Sequence, residues 1–203
     1  EKQMIVYQEI NFHYDKQILI DYFNNPSGQN YRIYNTKNRS KVLTVHLVDN
    51  IDSRLLPLYH SFKKQPTHFS FIEKKNGFCG SLHKDIDQNG YGRKCAFNLP
   101  LKDYDSGYVI WYDNHPTDYL FEYNPSYSTL ENSKPLPLTS HRNEELKMKI
   151  SNELGRTILN RPLLIRTDIW HTVKDLDSRA ERLLVSVQWD FDLIFDDAVK
   201  LLN

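Results

Sequence analysis

The sequence predicts a mainly β protein with flanking helices, arranged as a β-sandwich or a β-barrel. Short runs of β-branched and aromatic residues recur between residues 67 and 190, with turn-forming residues between them. Helical periodicity, in contrast, is confined to a few short segments. Many short strands at close intervals, with little helix among them, are typical of these two architectures. We expect a single domain over residues 1–203, which is an ordinary length for one domain.

The first 66 residues are predicted to support the β-rich core. Asp15 is placed to cap a helix, because its side chain can accept hydrogen bonds from the first free backbone amides. The apolar face of that helix carries Ile18, Leu19, Tyr22 and Phe23. A second helix is predicted from about residue 52 to 62, and Pro57 keeps it short. Strands are predicted at residues 4–10, 31–34 and 41–47.

Residues 67–190 are predicted to form the core itself, with a long insertion at about 114–158. Most of the insertion is polar and rich in Pro, Asn and Ser, which is typical of a long insertion or of a lid. Its last part, residues 144–154, has leucine and isoleucine at helical spacing. The core strands are predicted at residues 68–73, 81–86, 93–99, 108–112, 163–167, 169–173 and 182–189.

The charge balance argues against a nucleic-acid partner. Lys plus Arg and Asp plus Glu both number 26, so the formal net charge is zero and no global attraction to phosphate is expected. The residues given contain no long apolar stretch, no signal-like N terminus and no polybasic tail. We therefore expect a soluble, cytoplasmic protein without a membrane partner.

Two cysteines, Cys79 and Cys95, lie on either side of the strand predicted at 81–86. A core of this size needs no disulfide to remain folded. We expect both thiols to be reduced and packed near the core, and a single bridge between them is the alternative.

The first candidate ligands are His83 and Asp85, which one residue separates in a predicted strand. Residues i and i+2 of a strand project from the same face, so an imidazole and a carboxylate can point at one position. A chain with 8 His contains such pairs by chance. The meaning of this pair therefore depends on a third partner farther along the chain.

His171 is the histidine that best fits as the third ligand. It lies in the strand-like segment 169–173, whereas the others precede the β-rich half or lie in or beside the polar insertion. Two imidazoles and one carboxylate on an open face bind a transition metal and leave three coordination positions for other ligands. Asp87 is the alternative carboxylate to Asp85, because both belong to one acidic stretch.

Arg182 marks a second polar position, and ten residues separate it from His171. It opens the strand-like segment RLLVSVQW, in which Arg182 and Ser186 share one face. A guanidinium beside a hydroxyl can bind a carboxylate bidentately and add a further hydrogen bond. An ion pair with a neighbouring acidic residue is the alternative role for Arg182.

The order His-x-Asp, then a distal His, then Arg after ten residues resembles the pattern of the 2-oxoglutarate/Fe(II)-dependent oxygenases. Around it, the segments RKCAFNLPL, the Trp-Tyr of VIWYD, and PLLIRTDIWHTV followed by ERLLVSVQW are similar to small bacterial and phage members near the aspartyl/asparaginyl β-hydroxylase branch. The resemblance covers about residues 67–190. The sequence departs from that branch at Asp85, because the β-hydroxylases proper lack the carboxylate ligand. The substrate of that branch is therefore not carried over.

The resemblance implies a double-stranded β-helix, the cupin-like jelly roll, with a metal in its mouth. It implies Fe(II) held by His83, Asp85 and His171, with 2-oxoglutarate as cosubstrate and O₂ as oxidant. The reaction implied couples 2-oxoglutarate decarboxylation to oxidation of a C–H bond, as in a hydroxylase. The substrate would be an amino acid, a peptide or a small metabolite.

The resemblance also implies a cosubstrate pocket in which Arg182 holds the distal carboxylate of 2-oxoglutarate. Ser186, Arg93 and Asn98 are further candidates for the same pocket. Arg93 and Asn98 are five positions apart, so a regular strand cannot direct both side chains inward. At most one of these two is expected to contact the cosubstrate.

Two other functions are compatible with the same residues. One is a non-catalytic jelly-roll module that binds a small carboxylate or a sugar in the same pocket. The other is a cupin-type enzyme with Zn(II) or Mn(II) at His83, Asp85 and His171, because these ligands do not select iron alone. The co-occurrence of all three ligands with Arg182 favours the oxygenase.

Overall fold

The computed structural model describes residues 4–28, 30–35, 40–48, 50–75, 83–86, 89–102, 107–113, 153–175, 181–190 and 193–203. These residues form ten strands and three helices. In chain order they are β1 Tyr7–Glu9, α1 Lys16–Asn24, β2 Tyr31–Asn35, β3 Ser40–His46, α2 Leu56–His60, β4 His68–Lys75, β5 Cys95–Pro100, β6 Gly107–Tyr112, β7 Glu153–Ile158, β8 Leu163–Arg166, β9 Trp170–Asp175, β10 Glu181–Gln188 and α3 Phe195–Leu202.

The strands form two antiparallel sheets. The large sheet has the order β1-β8-β5-β10-β4-β3-β2, and the small sheet has the order β7-β6-β9. Residues 83–86 extend the small sheet, because His83 forms a β-bridge with His171 of β9. All strand pairs among the described residues are antiparallel, as expected for two packed sheets with short connections.

The path of the chain between these sheets is that of a double-stranded β-helix. From β4 in the large sheet the chain passes to residues 83–86 beside the small sheet, then back to β5. It continues to β6 and β7 in the small sheet, to β8 in the large one, to β9 in the small one and to β10 in the large one. The mainly β, jelly-roll fold is therefore confirmed.

One face of the large sheet packs against the helices. Alternate residues of β10, such as Leu183 and Val185, point to this face and are fully or almost fully buried. Phe71 of β4 is 0% exposed, and its ring packs against Tyr22 and Phe23 of α1 at centroid distances of 5.6 and 6.0 Å. Burying one such side chain contributes about 2 kcal/mol, which anchors α1 on the sheet.

The helices begin and end for local reasons. The side chain of Asp15 accepts hydrogen bonds from the backbone amides of Gln17 and Ile18 at 2.9 and 3.1 Å, so the predicted N-cap of α1 is confirmed. Pro57 lies in the first turn of the five-residue α2, as expected for a short helix. No helix in the described ranges is long and apolar enough to cross a membrane.

The opposite face of the large sheet faces the small sheet. There the alternate residues Ala96 and Leu184 join Val109 and Trp111 of the small sheet in a second buried cluster. Trp111 is 0% exposed, and its Nε1 donates to the carbonyl of Arg166 at 2.9 Å, which ties the small sheet to β8.

Three predictions about the second half of the chain are wrong at their edges. Residues 153–158, assigned to the insertion, form β7 in the small sheet, so the insertion ends before Glu153. The helix predicted over 144–154 ends inside that strand, and the rest of it lies outside the described residues. Residues 83–86 of the predicted strand 81–86 pair through bridges at His83 and Ile86 rather than as a regular strand. The sequence prediction also omitted α3.

Cys95 is a free thiol, 3% exposed, and its Sγ donates to the carbonyl of Leu193 at 3.5 Å. Burial raises the pKa of this thiol to about 12, so it stays protonated at neutral pH. The prediction of a reduced, packed cysteine is confirmed for Cys95, while Cys79 lies outside the described residues.

Candidate metal centre

The two candidate histidines are joined by a reciprocal pair of backbone hydrogen bonds. The amide of His83 donates to the carbonyl of His171 at 3.0 Å, and the amide of His171 donates back at 2.9 Å. Residues opposite each other in an antiparallel pair project from the same face. The two imidazole rings accordingly lie next to each other, with centroids 4.5 Å apart.

Asp85 brings a carboxylate to the same place. Its side chain is 1% exposed, and its Oδ1 lies 3.4 Å from Nε2 of His83. Its backbone amide donates to the carbonyl of Thr167 at 2.8 Å, which fixes the chain two residues beyond His83. Oδ1 is buried and has no hydrogen-bond partner, which is costly for a carboxylate oxygen unless a cation binds there.

The carboxylate of Asp85 is ionised despite its burial. Burial raises the pKa of this group, but the Arg93 guanidinium and the His83 imidazole lower it further, and the net effect is a pKa well below the usual range. Asp85 is therefore available as an anionic ligand across the physiological pH range.

His171 presents one defined nitrogen. Its Nδ1 lies 2.8 Å from the carbonyl of Ile169, which can only accept, so Nδ1 carries the proton and Nε2 keeps its lone pair. Burial and the adjacent His83 lower the pKa of His171 to about 4. The ring is therefore neutral at pH 7, as metal coordination requires.

Together these three residues form a group that fits a metal ion. One ligand atom from each of His83, Asp85 and His171 lies within 4.8 Å of the others, and among the described residues this is the one such group of three. A metal with bonds of about 2.1 Å spans ligand atoms up to about 4.2 Å apart, so small side-chain shifts suffice. Two imidazole nitrogens and one carboxylate oxygen, the orphaned Oδ1 of Asp85, suit a borderline transition metal.

Arg93 forms an ion pair with Asp85, one of the three candidate metal ligands. Its Nε donates to Oδ2 of Asp85 at 2.9 Å, and its Nη2 donates to the same oxygen. Arg93 precedes β5 instead of lying within it, so the five-residue separation from Asn98 does not follow strand alternation. Its predicted contact with 2-oxoglutarate stays a prediction.

Two residues that were not predicted from the sequence, Thr167 and Gly92, fix the backbone around Arg93 and Asp85. Thr167, 1% exposed, donates from its Oγ1 to the carbonyl of Arg93 at 2.7 Å and from its amide to the carbonyl of Lys94 at 3.0 Å. Gly92 has φ +140°, and a Cβ there would press on the carbonyl oxygen of Asp85. A glycine directly before an arginine, shortly after His-x-Asp, was the available signal for a close backbone approach.

The other predicted pocket residues lie on the inner face of the large sheet. Asn98 and Ser186 are cross-strand partners on β5 and β10, and both are buried. Arg182 shares their face of β10 four residues before Ser186, and it is 2% exposed. The structure thus brings Asn98 and Ser186 together and aligns Arg182 with them along one strand.

This polar row continues beyond the predicted residues. Ser186 is also opposite Ser70 of β4, and Ser70 is opposite Thr44 of β3. Oγ of Ser70 lies 3.2 Å from Oγ1 of Thr44 and accepts a hydrogen bond from Nε2 of Gln188 at 3.0 Å. Hydroxyl and amide groups therefore extend over four neighbouring strands on the face that looks toward the small sheet.

The structure places some of the alternative metal ligands away from any ligand group, and others lie outside the described residues. Among the non-selected histidines, His46 and His68 lie edge to face, with centroids 4.4 Å apart, on β3 and β4. Within the described residues they form no three-residue ligand group. Asp87, the alternative carboxylate, and His115 and His141 lie outside the described residues.

Comparison with known proteins supports the fold. No family model matches the sequence, and no curated protein matches it. Among solved structures, a Pseudomonas putida prolyl-4-hydroxylase aligns over 91% of this chain and 91% of its own, at 8% identity and a TM-score of 0.50. AviO1 from Streptomyces viridochromogenes Tue57 aligns over 91% and 89%, at 12% identity and a TM-score of 0.46.

A third structure, the non-heme alpha-ketoglutarate-dependent epimerase SnoN from nogalamycin biosynthesis, aligns over 93% of this chain and 83% of its own, at 9% identity and a TM-score of 0.46. Sequence identities this low show a shared fold and nothing further. The evidence for the shared fold is the prolyl-4-hydroxylase comparison, which has a TM-score of 0.50. The closer resemblance to the aspartyl/asparaginyl β-hydroxylase branch stays a prediction.

Proposed function

We propose that this protein is a 2-oxoglutarate- and Fe(II)-dependent dioxygenase that hydroxylates an amino-acid, peptide or small-metabolite substrate. The observation that carries the proposal is the convergence of His83, Asp85 and His171 between the two sheets of a double-stranded β-helix. The orphaned Oδ1 of Asp85 and the lone pair left on Nε2 of His171 give this group two defined donor atoms.

Two of the three side chains have a definable role in holding the metal. Nε2 of His171 is kept unprotonated by the bond from Nδ1 to the carbonyl of Ile169. Asp85 supplies the negative charge, and its burial excludes water from the ligand. When bound there, Fe(II) supplies open coordination positions at which 2-oxoglutarate and O₂ react.

The cosubstrate side of the site would be formed by Arg182, Ser186 and Asn98. Arg182 offers a buried guanidinium whose fork matches a carboxylate, and Ser186 and Asn98 add hydrogen-bonding groups on the same sheet face. A dicarboxylate would be oriented by a charge at one end and by the metal at the other. This assignment explains why charged and polar residues lie buried beside the apolar cluster of Ala96 and Leu184.

The deciding experiment is an anaerobic titration of metal-free protein with Fe(II) and then with 2-oxoglutarate. We expect a visible metal-to-ligand charge-transfer band that requires both additions. Asp85→Ala should abolish the band. Asp168→Ala is the matched control, since Asp168 is a nearby, ion-paired carboxylate outside the ligand group. Metal analysis of anaerobically purified protein would test Zn(II) or Mn(II) as the alternative.

The absence of the band in the wild-type protein, together with no binding of 2-oxoglutarate, would contradict the proposal. The non-catalytic module that binds a small carboxylate or a sugar would then be the better account. A band that persists in Asp85→Ala would show that another carboxylate, for example Asp87, completes the site.

A further inference from the structure

The two carboxylate oxygens of Asp85 have different surroundings. Oδ2 receives the Nε–H of Arg93 at 2.9 Å and also the Nη2–H of the same guanidinium. Oδ1 faces the imidazole of His83 at 3.4 Å and has no hydrogen-bond partner. One oxygen is therefore held by the protein, and the other is left for a ligand.

We propose that Arg93 is a positioning residue that presents Asp85 to the metal through Oδ1 alone. By holding Oδ2, the guanidinium prevents the carboxylate from rotating and from chelating a metal with both oxygens. It thereby keeps coordination positions open for other ligands. The identity of the metal rests on the proposed function, whereas the role of Arg93 concerns any divalent ion at this group.

Arg93 is itself fixed by its backbone. Its amide donates to the carbonyl of Asp85 at 3.1 Å, and its carbonyl accepts the Thr167 hydroxyl at 2.7 Å. The preceding Gly92 forms a β-bridge with Ile86, which pairs the backbone just before Arg93 with the backbone just after Asp85. The guanidinium is therefore directed onto Asp85 by main-chain geometry.

Because the Arg93–Asp85 ion pair is buried, the orientation of the Asp85 carboxylate depends on Arg93. The side chains of Arg93 and Asp85 are 14% and 1% exposed, so little solvent can replace a lost contact. A buried carboxylate that loses its partner is expected to turn toward any other donor, and the neighbouring His83 is the nearest one. A hydrogen bond from His83 would then occupy Oδ1, the oxygen that is otherwise left for a metal.

The charge of Arg93 and its positioning role predict opposite effects of its removal on metal binding. Arg93 carries a positive charge close to a cation site, so by repulsion alone its removal would strengthen metal binding. If its role is to position Asp85, its removal weakens metal binding. A third role, contact with 2-oxoglutarate, predicts unchanged binding of metal alone and a higher 2-oxoglutarate requirement.

A matched pair of residues lies close by. Arg166 donates from Nε to Oδ1 of Asp168 at 3.0 Å and from Nη2 to Oδ2 at 2.6 Å. The same two nitrogens of Arg93 both donate to one oxygen of Asp85. Neither Arg166 nor Asp168 belongs to the ligand group. Substitution of Arg166 therefore removes a partly buried arginine–aspartate pair without touching a ligand.

The test measures binding of Mn(II) alone, without 2-oxoglutarate, from the electron paramagnetic resonance signal of free Mn(II). We expect Arg93→Gln to weaken Mn(II) binding by roughly 10- to 100-fold, as for other residues that orient a metal ligand. Arg93→Lys, which keeps one donor and the charge, should recover part of this loss. Arg166→Gln should bind Mn(II) like the wild-type protein.

Unchanged or tighter Mn(II) binding by folded Arg93→Gln would overturn the proposal, and a raised 2-oxoglutarate requirement in that variant would assign Arg93 to the cosubstrate instead. If Arg93→Gln does not fold, Arg93→Lys decides, since unchanged binding by that variant also overturns the proposal. Wild-type protein that binds Mn(II) but, with Fe(II), shows neither the charge-transfer band nor binding of 2-oxoglutarate would overturn the proposed function. That outcome would not affect the role of Arg93. Wild-type protein that does not bind Mn(II) would overturn both.

Discussion

At the scale of a single residue, Arg182 is a buried charge to which the proposed function assigns a binding role. Its side chain is 2% exposed on a strand face that also carries Ser186. A guanidinium is placed inside a protein mainly where it meets an anion, because burial of a charge is expensive. A carboxylate of the cosubstrate is the anion that the proposed function supplies.

We expect Arg182→Ala to raise the 2-oxoglutarate concentration needed for half-maximal turnover by roughly 10- to 100-fold, which corresponds to the loss of a charge-assisted hydrogen bond. Turnover at saturating 2-oxoglutarate should change less. Arg182→Lys should restore part of the affinity, because it keeps the charge and loses the fork. Steady-state kinetics would check this, with the exposed Arg161→Ala as control. An unaltered 2-oxoglutarate requirement in Arg182→Ala would remove Arg182 from the pocket.

Gly92 illustrates a backbone requirement beside the metal centre. Its φ is +140°, and a Cβ would collide with the Asp85 carbonyl oxygen and lie 2.9 Å from Cα of Ile86. Both opposing atoms belong to backbone and cannot rotate away. Gly90 has φ +77°, but no atom lies within 4 Å of its Cβ position.

We expect Gly92→Ala to lower the free energy of unfolding by about 3 kcal/mol or more, since it combines unfavourable φ with a backbone clash. Gly90→Ala should cost only about 1 kcal/mol, because it carries the φ term alone. Urea denaturation of the two variants provides the comparison. Equal losses would mean that the loop before Arg93 relaxes freely.

At the scale of elements, the candidate metal centre lies where strands of the small sheet meet the end of β8. β6 holds β9 in register, with Trp111 opposite His171. Trp111 in turn donates to the carbonyl of Arg166 on β8, the residue before Thr167. The indole therefore couples the strand that carries a candidate ligand to the strand that positions Asp85.

Trp111→Phe should lower the free energy of unfolding by about 2 kcal/mol, from the lost hydrogen bond and the smaller ring. It should also weaken Mn(II) binding, because β6, which holds His171 in register, would no longer be hydrogen-bonded through Trp111 to β8. Trp189→Phe is the matched control: Trp189 is 5% exposed and makes an equivalent bond to the carbonyl of Lys64 at 2.8 Å. Urea unfolding and Mn(II) titration of both variants would be compared. Identical Mn(II) affinities would contradict the coupling.

The stability of the whole molecule should depend on pH through the buried His171. In the unfolded chain a histidine binds a proton below about pH 6.5, whereas burial keeps the folded His171 neutral until about pH 4. The unfolded state therefore binds more protons between these values. Stability is then fully present above about pH 6.5 and is lost as the pH falls toward 4. Burial lowers the pKa of His68 as well, which adds a loss of the same sign.

For metal-free protein in a chelating buffer, we expect His171 to account for a loss of about 2 kcal/mol in the free energy of unfolding between pH 7.5 and 4.5. His171→Gln should show a pH dependence smaller by that amount, because glutamine does not titrate. The difference between the two proteins isolates His171 from His68. Parallel pH profiles for the wild-type protein and the variant would contradict the prediction.

Local patterns were sufficient for part of this molecule. The i, i+2 spacing of His83 and Asp85, the Asp15 cap and the alternating segment that became β10 are all encoded within a few neighbouring residues. Periodicity and capping act over such short distances, so the sequence determined most strand positions and the three residues of the candidate metal group. It did not reveal β7, because Gly155 and helically spaced leucines hid a strand in which Gly155 approaches the Val6 side chain.

Other features were decided only by tertiary structure. The side chain of Arg93 reaches Asp85 because a backbone hydrogen bond joins these two residues, and the hydroxyl of Thr167, 74 residues away along the chain, donates to the carbonyl of Arg93. Likewise, Asn98 and Ser186 are neighbours only through the register of β5 and β10. Contacts of this kind depend on how distant segments pair, which no short window of sequence records. The sequence therefore determined which residues can bind a metal, and the fold determined which oxygen of Asp85 is left to do so.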